Sequence, residues 1–275
     1  MQLTGPTPIM NELTQKELDE VFARLGAQAD DTIRESKVKP MNPVLNLSHP
    51  DFFEQYVKNI DWKPLQNHGL EQLHNKFNLE TIDQDWPGQI NAYLDLLTDI
   101  NLDGAKILDV GCGWGRGVDV LRRYYNINVH GIDNNKDFIE YARTNYPNNH
   151  YFTSGNTELK DYNVLLFLDS MHVMFEQKLF HSVAPDTLLV VSDFFTTDTY
   201  EQFKNMIEIE KFTCLLEKDQ TEAVMKAMTR DIDTLKTRFN SIEPHIVNTF
   251  KHLQLNQLHQ FEIGHTKQYK FVIQT

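Results

Sequence analysis

A carboxylate stands in front of four glycines at alternate positions in Asp109-x-Gly111-x-Gly113-x-Gly115-x-Gly117. The pattern follows a short apolar run, Lys106 to Val110, and precedes a helical stretch, so the glycines fall in a strand-to-helix turn. Glycine there frees the backbone for dihedrals that a side chain forbids, and lets a ligand lie against the main chain where the helix begins. Val129 to Asp133 reads as a second strand. Its terminal acid lies about twenty residues beyond the loop, at the spacing from which a carboxylate reaches the hydroxyls of a ribose. The pair implies a nucleoside-bearing ligand, whereas a glycine turn that binds nothing leaves Asp133 as a coincidence.

Register separates the possible nucleosides. A dinucleotide fingerprint begun at Gly111 needs a glycine where Arg116 stands, and one begun at Gly113 needs it at Val118. Both registers fail. The remaining pattern resembles the first motif of the class I S-adenosylmethionine-dependent methyltransferases, and the likeness in motif order runs from Ala105 to about Gln220. LDSMHVM after the fourth strand and VVSDFF at the fifth are similar to sugar O-methyltransferases, glycine/sarcosine N-methyltransferases and phosphoethanolamine methyltransferases. Cyclopropane fatty acid synthases share GCGWG, but their second motif differs from GIDNNKDF.

The resemblance implies S-adenosyl-L-methionine as cofactor and gives roles to matching positions. Gly111 and Gly113, with Cys112 between them, pass under its methionine part; Asp109 orients the loop; Asp133, followed by Asn134, holds the ribose. Asn156, with Thr157 in SGNTEL, stands where the family usually has an aspartate facing the adenine amino group. An amide oxygen still accepts there, without the charge. Leu168 closes the fourth strand beside the cofactor. Trp114 is either a wall against the cofactor or a packing residue. His172, just past that strand, is the candidate general base, with Asp169 three residues earlier to orient it if the segment makes a helical turn. Asp219, ahead of a helix start, reads as a cap.

The elements that position these residues alternate. Strands are expected at 106–110, 129–133, 150–154, 164–168, 187–193, 212–216 and 269–273, with helices at 199–211 and 220–230. Strands separated by helices mean a parallel sheet, and VLLFL, apolar throughout, suits a strand covered on both faces. The fold class is α/β: a Rossmann-like, seven-stranded, mostly parallel sheet with helices on both faces and an N-terminal helical lid. Ligands of such sheets bind outside the carboxyl ends of the strands, which gathers the glycine loop, Asp133 and Asp169 into one crevice. Residues 1–100 are expected to form the helical arm and lid, and 101–275 the cofactor-binding domain. Helices are expected at Thr14–Lys37, from Ser48 to Ile60, from Leu70 to Phe77, and from Ile90 to Leu97. The stretch 14–37 reads equally as lid or dimer arm, because a helix offers the same apolar stripe to a pocket, a partner or its own core.

Across 275 residues, 40% are hydrophobic and 24% charged, as in an ordinary globular protein. No apolar run has membrane-span length and the N-terminus lacks the apolar core of a signal peptide, so a cytoplasmic protein without a membrane partner is expected. A net charge of −13 disfavours nucleic acid as a partner. Cys112 and Cys214 are too few for a disulfide framework, and no compact ligand motif suggests a metal site. Two function classes follow: a methyltransferase acting on a small-molecule acceptor, as a monomer or a homodimer, or a cofactor-binding protein of the same fold that transfers no methyl, since fold alone does not set the reaction.

Overall fold

The computed structural model describes residues 67–71, 77–84, 86–153, 159–171, 183–238 and 244–275. The helices expected over 14–37 and 48–60, and the candidate site residues Asn156, Thr157 and His172, lie outside this set. Pro64–Asp231 with Gln260–Thr275 make one compact unit, which holds the sheet; Ile232–His259 belong to a second.

Seven strands form one sheet: β1 (Ile107–Val110), β2 (Val129–Asp133), β3 (His150–Thr153), β4 (Val164–Leu168), β5 (Leu188–Thr196), β6 (Thr213–Asp219) and β7 (Thr266–Gln274), in the order β3-β2-β1-β4-β5-β7-β6. The first five pair in parallel. β7 runs antiparallel between β5 and β6, matching β5 over nine residues. Every residue of β4 is buried, as its unbroken apolar sequence requires, whereas β6 alternates exposed and half-buried positions as an edge strand does. Leu108, Leu165, Phe167, Leu189, Val191, Phe203, Phe271 and Ile273 lie at the centre of the core.

The described helices are α1 (Pro87–Leu96), α2 (Arg116–Tyr125), α3 (Lys136–Asn145), α4 (Thr197–Ile209), α5 (Thr221–Arg238) and α6 (Pro244–Glu262). α3 starts where Asn135 accepts from the amides of Asp137 and Phe138, and α4 where Thr196 and Thr199 cap each other reciprocally. α6 went unnoticed in the sequence.

α1 departs from expectation. Read as the last helix of a lid, it instead packs on the sheet, with nine of its ten residues buried. Two of its buried polar side chains are partnered through one atom each: Gln89 Nε2 donates to Asp231 at 2.8 Å, and Asp95 Oδ2 accepts from Gln220 Nε2 at 2.8 Å. Nor are Leu70, Glu71 and Phe77 helical. Asn67 to Glu71 is an irregular strand of chain tied down by Leu70 N to Gly88 O at 2.8 Å and Glu71 N to Ala223 O at 2.9 Å. Among the described residues no helix is long and apolar enough to cross a membrane.

Candidate active site

The glycine loop is fastened to the end of β2. The amides of Gly111 and Cys112 both donate to Ile132 O, at 2.8 and 3.1 Å, and that of Gly113 donates to Asp133 Oδ2 at 2.9 Å. Gly111, Gly113 and Gly115 have φ of 84°, 52° and 80°, the left-handed region that side chains resist. Gly131 in β2 makes room for the loop, since a β-carbon there would meet Cys112 Sγ at 2.8 Å. The Cys112 thiol is buried, and burial followed by the charges of Asp109 and Asp133 pushes its ionisation up, so it is a filler and not a nucleophile. Trp114 leans on α3, its ring centroid 4.1 Å from Phe138 and 5.2 Å from Tyr141.

Three carboxylates converge at the carboxyl ends of β1, β2 and β4. Asp133 accepts from Asn135 N at 2.8 Å through Oδ1; burial raises its carboxyl, against the pull of the Asn135, Gly113 and Asn134 amides. Asp109 is almost fully buried and its Oδ2 has no hydrogen-bond partner among the described residues. Burial, then the charge of Asp133, pushes its carboxyl up to about 7, with the Tyr93 hydroxyl pulling the other way. Tyr93, buried on α1, feels Asp109, Cys112, Asp169 and Asp133 together, so its phenol lies among them and stays protonated. The groups that act on Asp109 and Asp133 include no lysine or arginine. An unpartnered, deeply buried carboxylate oxygen beside a second acid suits a ligand with a cationic end and ribose hydroxyls.

Asp169 follows β4 with φ of 49°, unusual for a side-chain-bearing residue, and its amide donates to Ser192 O at 2.9 Å. Ser170 Oγ donates to Val110 O at 2.7 Å, tying this turn to the end of β1. Leu168 is the buried last residue of the strand. The carboxylate of Asp169 is already engaged, though not as the sequence suggested. Oδ2 accepts from the main-chain amide of His68 at 2.9 Å and lies 2.9 Å from His68 Nδ1, off the line of an ideal hydrogen bond; Oδ1 accepts from Gln268 Nε2 at 3.2 Å. Burial would raise this carboxyl, but the His68 ring and these donors outweigh it and hold it below the usual carboxylate range. The expected partner, His172, lies outside the described residues.

Behind Asp169 runs a buried polar chain. Gln268 Nε2 also donates to Ser192 Oγ at 3.2 Å, Ser192 Oγ to Gln220 Oε1 at 3.3 Å, and Gln220 leads to Asp95. There Lys270, fully buried in β7, meets Asp95 Oδ2 at 3.2 Å and Asp99 Oδ2 at 2.7 Å. The expected cap is also in place, with Asp219 Oδ1 accepting from Thr221 N at 2.9 Å at the head of α5.

His68 and Tyr93 are the site residues that sequence reasoning missed. The Asn67-His68-Gly69 triplet carries a turn signal, and Asn67 Oδ1 does accept from Gly69 N at 2.9 Å. Nothing in the sequence, however, ties it to an aspartate 101 residues away.

Residues 107–197 match the family described as "Methyltransferase domain". The chain is 25% identical over 147 residues to a phosphoethanolamine N-methyltransferase of Plasmodium falciparum, covering 46% of this chain and 55% of that one. It is 29% identical over 107 residues to a trans-aconitate 2-methyltransferase of Rhodopseudomonas palustris, covering 35% and 42%. The match thus spans about half the length of these curated relatives. In fold it is similar to the O-methyltransferase of a trans-AT PKS multienzyme of Brevibacillus brevis, solved with S-adenosyl-L-homocysteine: TM-score 0.56 at 16% identity, over 78% of this chain and 85% of that one. Residues 107–197 thus match a methyltransferase domain, and the seven-stranded sheet to which they contribute is Rossmann-like.

Proposed function

We propose that the protein binds S-adenosyl-L-methionine at the ends of β1 and β2 and transfers its methyl group to a small molecule. The observation that carries this reading is the convergence of Asp109, with its unpartnered Oδ2, and Asp133 on a loop of three left-handed glycines. Asp133 retains acceptor capacity for the ribose hydroxyls after binding the loop amides. Asp109 faces the cationic end, and Gly111, Cys112 and Gly113 offer main chain to the methionine part. Asn134 flanks the ribose, Leu168 borders the ligand from β4 and Trp114 backs the loop; the resemblance assigns the adenine side to Asn156 and Thr157, which lie outside the described residues. When bound, the sulfonium supplies an already activated methyl. The protein's task is then to align the acceptor, exclude water and take up a proton; His172, the candidate base read from the sequence, lies outside the described residues.

Phosphoethanolamine and trans-aconitate, named by the relatives, are the first acceptors to try. Incubation with S-adenosylmethionine and each acceptor should yield S-adenosylhomocysteine by mass spectrometry, and the cofactor should raise the melting temperature. Calorimetry showing no interaction at millimolar cofactor would overturn the reading. Binding without product from any acceptor would leave the second reading, a methyltransferase fold that transfers no methyl.

A further inference from the structure

Asp169 already holds a histidine, and that histidine is remote in sequence. The chain from Asn67 to Glu71 is fixed at five places. Asn67 Nδ2 donates to Gln89 O at 3.3 Å and Asn67 Oδ1 accepts from Gly69 N. Leu70 N and Glu71 N bond to α1 and to the first turn of α5, and Glu71 Oε2 pairs with Arg230 at 2.7 Å. Gly69 turns with φ of 79°, and a β-carbon there would meet Gly88 C at 3.1 Å. So anchored, His68 brings both its amide and its Nδ1 to within 2.9 Å of one oxygen of Asp169. Its ring is wedged edge-on between Phe194, at 5.2 Å, and Phe261, at 5.9 Å, which fixes its plane. Nδ1 lies 2.9 Å from Asp169 Oδ2 without the alignment of a hydrogen bond, which a small rotation of the ring would supply, and Nε2 is the nitrogen at the far side of the ring.

Position gives this pair its meaning. Strand order runs β2-β1-β4-β5, with Asp133 on β2 and Asp169 after β4. With the adenine on the β3 side, as in the proposed reading, a nucleoside held by Asp133 has its reactive end on the β4 side, where Asp169 and His68 stand. Asp169 is close enough to the Tyr93 phenol to act on it electrostatically, as Asp109 and Asp133 do.

We propose that His68, oriented by Asp169, is the catalytic base that accepts the proton of the methyl acceptor at Nε2. This rests on the reading of the site as one of methyl transfer from a sulfonium donor. In the step, a lone pair of the acceptor oxygen or nitrogen forms the bond to the methyl carbon. The carbon–sulfur bond breaks with its electrons remaining on sulfur, and the acceptor's proton passes to Nε2. The positive charge lost at sulfur thus reappears on an imidazolium whose Nδ1 proton faces the Asp169 carboxylate, and the proton then leaves to water. Asp169 is a positioning residue: its ionised carboxylate selects the tautomer with Nδ1 protonated and Nε2 bare.

The first test needs neither donor nor acceptor. Nitrogen-15 NMR of the imidazoles in the full chain, with the His68 signals assigned by their loss in His68→Asn, should show Nδ1 protonated and Nε2 bare near pH 8. Asp169→Asn should abolish that preference. A wild-type His68 protonated at Nε2 would overturn the proposal. The second test uses His68→Asn, whose amide can still donate towards Asp169 but carries no base. With phosphoethanolamine, or another amine or hydroxyl acceptor that is turned over, kcat should fall about 10²–10⁴-fold while the Kd for S-adenosylhomocysteine stays within about twofold; trans-aconitate, whose carboxylates are already ionised, has no proton to give and should be little affected. With an amine or hydroxyl acceptor, a kcat within a few-fold of wild type, or a loss confined to a parallel His172→Asn variant, would assign the proton elsewhere. Failure of the underlying site reading has a different signature, absence of S-adenosylhomocysteine binding by the wild type, and it would overturn both.

Discussion

A carboxyl raised to about 7 makes Asp109 a proton-linked element of the proposed binding site. Its folded-state value lies above the unfolded one, so between the two the native state holds a proton that the unfolded chain has released, and stability falls as pH rises through that window. The ligand-free protein should therefore lose melting temperature from pH 5 to pH 8, and Asp109→Asn should flatten that slope. A cationic ligand draws the proton off. At pH 6, calorimetry in buffers of different ionisation enthalpy should find about one proton released per S-adenosylmethionine bound, and zero release would remove Asp109 from the site. At Asp133, replacement by alanine should weaken the cofactor by about 1.5–3 kcal/mol, the range for bonds to a charged group. It should also lower the melting temperature, because Gly113 N and Asn135 N lose their acceptor. Unchanged affinity would leave the acid with only its fold role. These two acids and the glycines were legible because β1, the loop and β2 follow one another in the chain and pair side by side. His68 and Tyr93 were not, because their partners reach them only through folding.

At the level of elements, the period-two and all-apolar runs located all seven strands to within a few residues, since each buries a pattern that is local in sequence. Periodicity served less well for α1. A helix buried on nearly every side has no single apolar face, and Gln89 and Asp95 look solvent-directed until their partners on α5, at Gln220 between β6 and α5, and on β7 are known. The contact between α1 and α2 is close at Gly117, where a β-carbon would lie 2.0 Å from the Tyr93 ring. Gly117→Ala should accordingly cost about 1–3 kcal/mol as an overpacked site. Combining it with Tyr93→Leu, which empties that space, should cost less than the sum of the two singles by about 0.5 kcal/mol or more. Strict additivity in urea melts would show that the ring moves aside freely.

For the whole molecule, the helical arm and lid expected from the sequence over residues 1–100 is open to test by amide exchange. Amide exchange across residues 1–66 should slow when S-adenosylhomocysteine and acceptor are added, while α1, packed on the sheet, should not respond. Equal exchange in both states would favour a permanently packed arm. The sheet order has a separate consequence for synthesis. β7 follows β6 in the chain, yet it lies between β5 and β6 and pairs with both. A nascent chain on the ribosome can assemble β3-β2-β1-β4-β5 as it emerges, but the outer edge of β5 and the whole of β6 wait for Thr266–Gln274. Until those nine residues appear, two strand edges are open to pairing with other chains. The protein should therefore depend on holding chaperones until β7 has emerged, and a chain stopped short of Thr266 should accumulate as aggregate instead of as a trimmed, folded domain.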